Sequence, residues 1–110
     1  MAEPLRSQLE ATHRARETGL AACRRTIRAA SQSIRAVHRG ETAEAERLVA
    51  ECRDAIREAQ AALTPHPQIA FAGFLHDAEK EFAEAVLTAA LIGGGALQGP
   101  DELGVGVQAW

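Results

Sequence analysis

Two glutamates three residues apart, Glu81 and Glu84 in the run Glu81-Phe82-Ala83-Glu84-Ala85-Val86, are the side chains of this chain best spaced to do chemistry together. Each helical residue advances about 100°, so the two carboxylates stand roughly 60° apart on one face, close enough to share a cation or to repel each other. Paired oxygen ligands of this kind suit a hard cation such as Mg²⁺. The same spacing also serves a solvated helix face, with Lys80 four residues before Glu84 as an ion-pair partner. Other chemistry is sparse. Glu10 and His13 have the Glu-x-x-His spacing of di-iron bundles, but that architecture needs two such motifs and two further glutamates. Ser31 and Ser33 lack a neighbouring base and a nucleophile-elbow context. His38, beside Arg39 and Gly40, is placed to interact with helix-end carbonyls. There is no phosphate loop, dinucleotide fingerprint or zinc spacing.

The elements that must position Glu81 and Glu84 are helices. Ala, Leu, Glu and Arg dominate the 110 residues, with no Tyr, three Phe and one Trp, and this composition predicts a single all-α domain. From Leu5 to Arg39 only Gly19 interrupts a helical pattern, and Leu20, Cys23, Ile27, Ala30, Ile34 and Val37 alternate steps of three and four as an apolar seam. Gly40 follows as a left-handed stop. Thr42 is placed to cap a second helix with Glu44 and Glu46 in its first turn and an apolar face of Leu48, Val49, Cys52, Ile56, Ala59 and Leu63. The short turn makes the two helices antiparallel neighbours. Thr64-Pro65-His66-Pro67 breaks the second helix.

A third helix is expected from about Ile69 to Ile92, with Phe71, Phe74, Leu75, Ala78, Phe82, Ala85, Val86 and Ala89 as its core stripe. Asp77, Glu81, Glu84 and Thr88 form a polar strip alongside, and from Ala85 onward the helix is apolar nearly all round. Gly93-Gly94-Gly95 ends it, Gly99 to Gly104 reads as a turn with one helical turn, and Val105 to Trp110 closes the sequence. The expected fold is an antiparallel bundle of three long helices plus a short C-terminal helical turn.

Charge is segregated. Residues 1–40 carry eight Arg and three Glu, a net of +5, whereas residues 41–110 carry three Arg, one Lys and twelve acids, a net of −8. One reading packs the basic helix beside acidic ones in a bundle or oligomer. The other makes Arg24, Arg28, Arg35 and Arg39 a phosphate-binding stripe, because guanidinium forks match phosphate oxygens. Cys23 and Cys52 sit at helical core spacings without a CxxC or Cys/His cluster, as reduced thiols of a cytoplasmic protein do. The start lacks a signal-peptide pattern, and the longest apolar run, 85–92, is interrupted by Thr88, so neither secretion nor a membrane span is expected.

Taken in order, several local patterns resemble the N-terminal half of the translin family in its compact prokaryotic or archaeal form. They are Ser33-Ile34-Arg35-Ala36-Val37-His38-Arg39-Gly40, His66-Pro67, Ala72-Gly73-Phe74, the Glu81 to Val86 run, and Gly99-Pro100-Asp101-Glu102-Leu103-Gly104-Val105. The likeness spans about residues 5–110. It implies a helical subunit of a closed homo-oligomer that binds single-stranded RNA or DNA and, in some members, cleaves RNA with a divalent metal. In the nuclease-competent branch the two glutamates of a Glu-x-x-Glu helix hold the metal, and these match Glu81 and Glu84, which the resemblance makes catalytic ligands of Mg²⁺. It also implies a third acid from an Ala-Asp-x-x-Gly-Glu stretch that should follow Trp110; this sequence has no such stretch, so the chain is expected to be a partial subunit with little or no nuclease activity. The basic patch that the family places near the start of the third helix is replaced by Phe74-Leu75-His76-Asp77-Ala78, which leaves the arginine stripe as the expected nucleic-acid contact.

Overall fold

A computed structural model describes residues 2–66 and 72–92, and these residues form three helices with no strand among them: α1 (Ala2–His38), α2 (Thr42–Leu63) and α3 (Ala72–Ile92). The expected all-α bundle is what forms. Phe71, the expected start of the third helix near Ile69, the Gly93-Gly94-Gly95 stop and the 99–104 turn lie outside the described residues.

α1 runs 37 residues, about 55 Å at 1.5 Å per residue, without a break at Gly19. Its C-terminus closes in the way the sequence predicts. Gly40 has φ +76°, the Gly40 amide donates to the Val37 carbonyl at 3.0 Å, and the Glu41 amide donates to the Ala36 carbonyl at 2.9 Å. This pair of bonds around a left-handed glycine is the Schellman arrangement, which satisfies carbonyls that a helix end would leave open. The expected Thr42 cap does not form. Glu41 occupies the cap position without a side-chain capping bond, Thr42 is already helical, and the Glu41 carbonyl accepts the Ala45 amide at 2.9 Å. The tight return of the chain into the Ala36 carbonyl fixes Glu41, so the helix starts one residue earlier than its best capping side chain.

The helices run up, down and up. Gly19 meets Leu63, while Val37 packs with Ala45 and Leu48, so α2 returns alongside α1. Gln60 donates to Glu79 at 2.9 Å at one end of the α2–α3 pair, and Val49 and Ala50 face Val86, Ala89 and Ala90 across a groove at the other.

The core of α1 is made of small residues. Ala22, Cys23, Ala29, Ala30, Ala36 and Val37 are buried, together with the polar Thr26 and Ser33. The Thr26 hydroxyl donates to the Ala22 carbonyl at 2.8 Å and the Ser33 hydroxyl to the Ala30 carbonyl at 3.0 Å, so both polar groups are satisfied within their own helix. The Cys52 thiol donates to the Thr26 carbonyl at 3.2 Å, which ties α2 to the same spot. Close approach is the consequence. A Cβ on Gly19 would stand 2.4 Å from two Leu63 side-chain carbons.

This packing rotates α1 away from the expected seam. Cys23, Ala30 and Val37 are buried as predicted, but Leu20 and Ile34 are only half-buried and Ile27 keeps 40% of its surface. Large β-branched side chains would hold the helices apart, and the alanine face allows a tighter contact; the isoleucines therefore move to the edge. On α3, Phe82 is 1% exposed at the centre of the main cluster, with Arg53 stacked 5.5 Å from its ring centroid. Ala78, Ala85 and Val86 are buried as expected. Phe74 is not a core residue: 56% of its surface is open, and it stands a turn before the buried Ala78.

Candidate functional site

The outer face of α1 is a line of arginines. Arg24, Arg28 and Arg35 fall within about 40° of one another around the helix, with Arg39 some 20° further on just past its end. Thr26 and Ser33 mark the opposite, buried side, about 180° to 200° away from Arg24. All four arginines are exposed. The structure therefore brings the predicted stripe together and turns it away from α2 and α3, so that the acidic helices of the same chain do not neutralise it. The reading in which the basic helix pairs with acidic ones holds inside the chain for a different residue, Arg25, whose guanidinium pairs with Glu58 on α2. Arg25 lies about 100° round from Arg24, on the side where α2 packs.

Two members of the line have local partners. The Arg35 guanidinium donates to the Ser31 hydroxyl at 3.0 Å, one turn back. Arg39 donates from Nε and Nη2 to one carboxylate oxygen of Glu41, at 2.9 and 2.8 Å. Both groups are well exposed, so this pair competes weakly with an incoming anion. Among the described residues, Arg24 and Arg28 make no ion pair. On α2, by contrast, Arg47 sits between Glu44 and Glu51, at 2.7 and 3.3 Å, and offsets part of that helix's acidity.

Glu81 and Glu84 share the polar strip of α3 with Asp77, as their spacing predicts. Their environments differ, since Glu81 is half-buried at the edge of the helix interface and Glu84 is exposed. Burial raises the Glu81 carboxyl above its ordinary value; the Glu84 carboxylate pushes the same way, Lys80 opposes, and Asp77 and a hydrogen bond to Glu84 add to the rise. Glu81 thus keeps its proton to a higher pH than an ordinary glutamate does. Lys80 forms no ion pair with Glu84.

Among the described residues no group of three or more His, Cys, Asp and Glu side chains comes together so as to hold a metal ion. Two carboxylates leave Mg²⁺ short of protein ligands, and Asp77 is not brought in to complete a set. These residues do not fit a metal centre by themselves, and no metal-assisted step follows from them. Glu10 and His13 stand exposed on the N-terminal part of α1, and among the described residues no second such motif joins them. His38 is exposed, and the backbone bonds of Gly40 and Glu41 satisfy the carbonyls it was expected to meet.

The cysteines are core thiols. Both are free and buried. Burial pushes the Cys52 thiol up to about 12, and it raises Cys23 with help from Glu79 against Arg24, so neither is poised as a nucleophile. No helix among the described residues is long and apolar enough to cross a membrane. No family model, curated protein or solved structure matches the chain.

Proposed function

We propose that this chain is a cytoplasmic, translin-like subunit that binds single-stranded RNA or DNA within a homo-oligomer, with α1 as the binding element. One observation carries the reading: Arg24, Arg28, Arg35 and Arg39 form a solvent-facing line opposite the core of a long helix, and among the described residues Arg24 and Arg28 make no ion pair. Guanidinium groups in a row on a rigid support suit a polyanion whose charges are also in a row. Free, buried thiols fit a reducing compartment. Glu81 and Glu84 are, in this reading, two carboxylates of a metal site that needs a further acid, and RNA cleavage is not assigned to the chain on their account.

Filter binding with a labelled single-stranded RNA at rising salt tests the proposal. Binding at low salt that weakens steeply as salt increases is the expected result, because phosphate contacts release counterions. Absence of binding at low salt would sink it. A second reading, a helical interaction module without nucleic-acid binding, is favoured by the exposed Leu5, Leu9, Ile27 and Leu91. It gains if the chain assembles with concentration yet ignores RNA.

A further inference from the structure

We infer that the arginine line is a phosphate rail of fixed length, which takes about seven nucleotides of one strand and reads no bases; the inference rests on the nucleic-acid-binding reading above. The length follows from the helix. Arg24 to Arg39 spans fifteen residues, about 22 Å at 1.5 Å per residue. A stacked strand sets one phosphate roughly every 3.4 Å along its axis, so the line runs beside about seven of them. The arginines come as two pairs, Arg24 with Arg28 and Arg35 with Arg39, each pair one helical turn or about 6 Å apart. Ser31 stands between the pairs, on the same face and bonded to Arg35.

Both ends of the rail are closed by acids. Glu17 is exposed on α1 about 20° from Arg24 around the helix and two turns before it, so a strand continuing along the face meets a carboxylate. At the other end Gly40 turns the chain and Glu41 stands against Arg39. The absence of base reading follows from composition. α1 has no Phe, Tyr or Trp on which a base could stack, and the flanking apolar groups, Ile27 and Ile34, offer no pattern of donors and acceptors.

The test is fluorescence anisotropy with labelled oligoadenylates of three to twelve nucleotides, at low salt. Affinity should rise steeply to about seven nucleotides and then gain only the small statistical factor of extra registers. At seven nucleotides, oligomers of different base composition should agree within about twofold, and log affinity should fall with log salt at a slope of about −2 to −3, the range for three to four phosphate contacts on a single strand. Glu17→Lys lengthens the rail to about 33 Å by the same helical rise, so its plateau should move to about ten nucleotides. Affinity that climbs steadily through twelve nucleotides in the parent chain, a base preference beyond tenfold, or a plateau unmoved by Glu17→Lys would each overturn the rail while leaving nucleic-acid binding intact. No binding at any length would remove the underlying reading as well.

Discussion

The basic face of α1 and the acidic strip of α3 both consist of like charges placed on one side of a helix, yet they are built for different tasks. The arginines are exposed and stretch along about 22 Å, and among the described residues Arg39 is the one of the four that pairs with an acid, Glu41. The glutamates lie within one turn, with Glu81 half-buried and its carboxyl raised by that burial and by Glu84. Spread-out charge on a rigid rod is relieved by an extended counter-charge and needs no further residue to work. Concentrated charge is relieved either by a proton or by a cation with enough ligands, and among the described residues those ligands are not assembled. On the proposed reading, the difference gives binding to α1 and leaves α3 with an incomplete set of ligands.

The largest effect that separates the two faces is on affinity. Replacing Arg24, Arg28 and Arg35 together by Gln should weaken binding of a seven-nucleotide RNA by about 100-fold at low salt and flatten its salt dependence, since three phosphate contacts are lost. Glu81→Gln with Glu84→Gln should leave that affinity within about twofold. Fluorescence anisotropy at matched salt reads both, and equal losses in the two variants would break the assignment.

The seat of α1 comes next. In Gly19→Ala the new Cβ meets Leu63 at 2.4 Å, deep in contact with the side chain's branch point. Overpacking of this kind costs about 1 to 3 kcal/mol, against a gain of about 1 kcal/mol in helix propensity, so a net loss near 1 kcal/mol is expected. In a domain of this size that lowers Tm by roughly 4 to 8 °C. Thermal denaturation followed by circular dichroism checks it; a raised Tm would mean that α1 and α2 do not approach so closely.

How much of this was legible in the sequence differs between the two faces for physical reasons. The arginine line was readable because it depends only on helical period and on α1 being unbroken. The stop at Gly40 was readable because few residues but glycine take a left-handed turn at little cost. The core side of α1 departs from the hydrophobic pattern at Ile27, since hydrophobicity ranks Ile above Ala, Ser and Thr, whereas packing distance ranks them in reverse. The signal was present in the small residues Gly19, Ala22, Thr26, Ala29, Ser33 and Ala36, spaced by three and four. The α1–α2 ion pair of Arg25 with Glu58 needed that rotation to be known first, and so did the exposure of the isoleucine edge. At the acidic pair the spacing was legible, but the unequal burial of Glu81 and Glu84 was not, because it depends on how α3 is rolled against its neighbours.

That unequal burial predicts a smaller, pH-dependent effect. A carboxyl whose folded value is raised binds its proton more tightly in the folded chain than in the unfolded one. It therefore contributes stability below its unfolded value and loses that contribution as pH rises through the raised folded value. Above the raised value Glu81 is ionised at a cost, so Glu81→Gln should stabilise the chain more at pH 7 than at pH 4, within the roughly 0.5 kcal/mol usual for partly exposed sites. Glu84→Gln should give part of the same gain by removing the second cause of the shift. Denaturant midpoints at the two pH values check the sign, and a Glu81→Gln variant less stable at pH 7 than the parent would mean that Glu81 is held by a favourable partner.

The smallest expected effect is that of magnesium, and it bears most directly on what the pair can do. A cation that bound Glu81 and Glu84 tightly in the folded chain would stabilise it by RT ln(1 + [Mg²⁺]/Kd), about 2.7 kcal/mol at a hundred times Kd. A pair of carboxylates one turn apart, with one of them favouring its proton, has too few ligands for such a site. At 5 mM Mg²⁺ a dissociation constant above about 10 mM gives less than about 0.3 kcal/mol, which moves Tm by no more than about 2 °C. A larger shift, lost in Glu81→Gln, would show that the chain completes the site with residues beyond this strip of α3, and the contrast between the two faces would then be one between two binding sites.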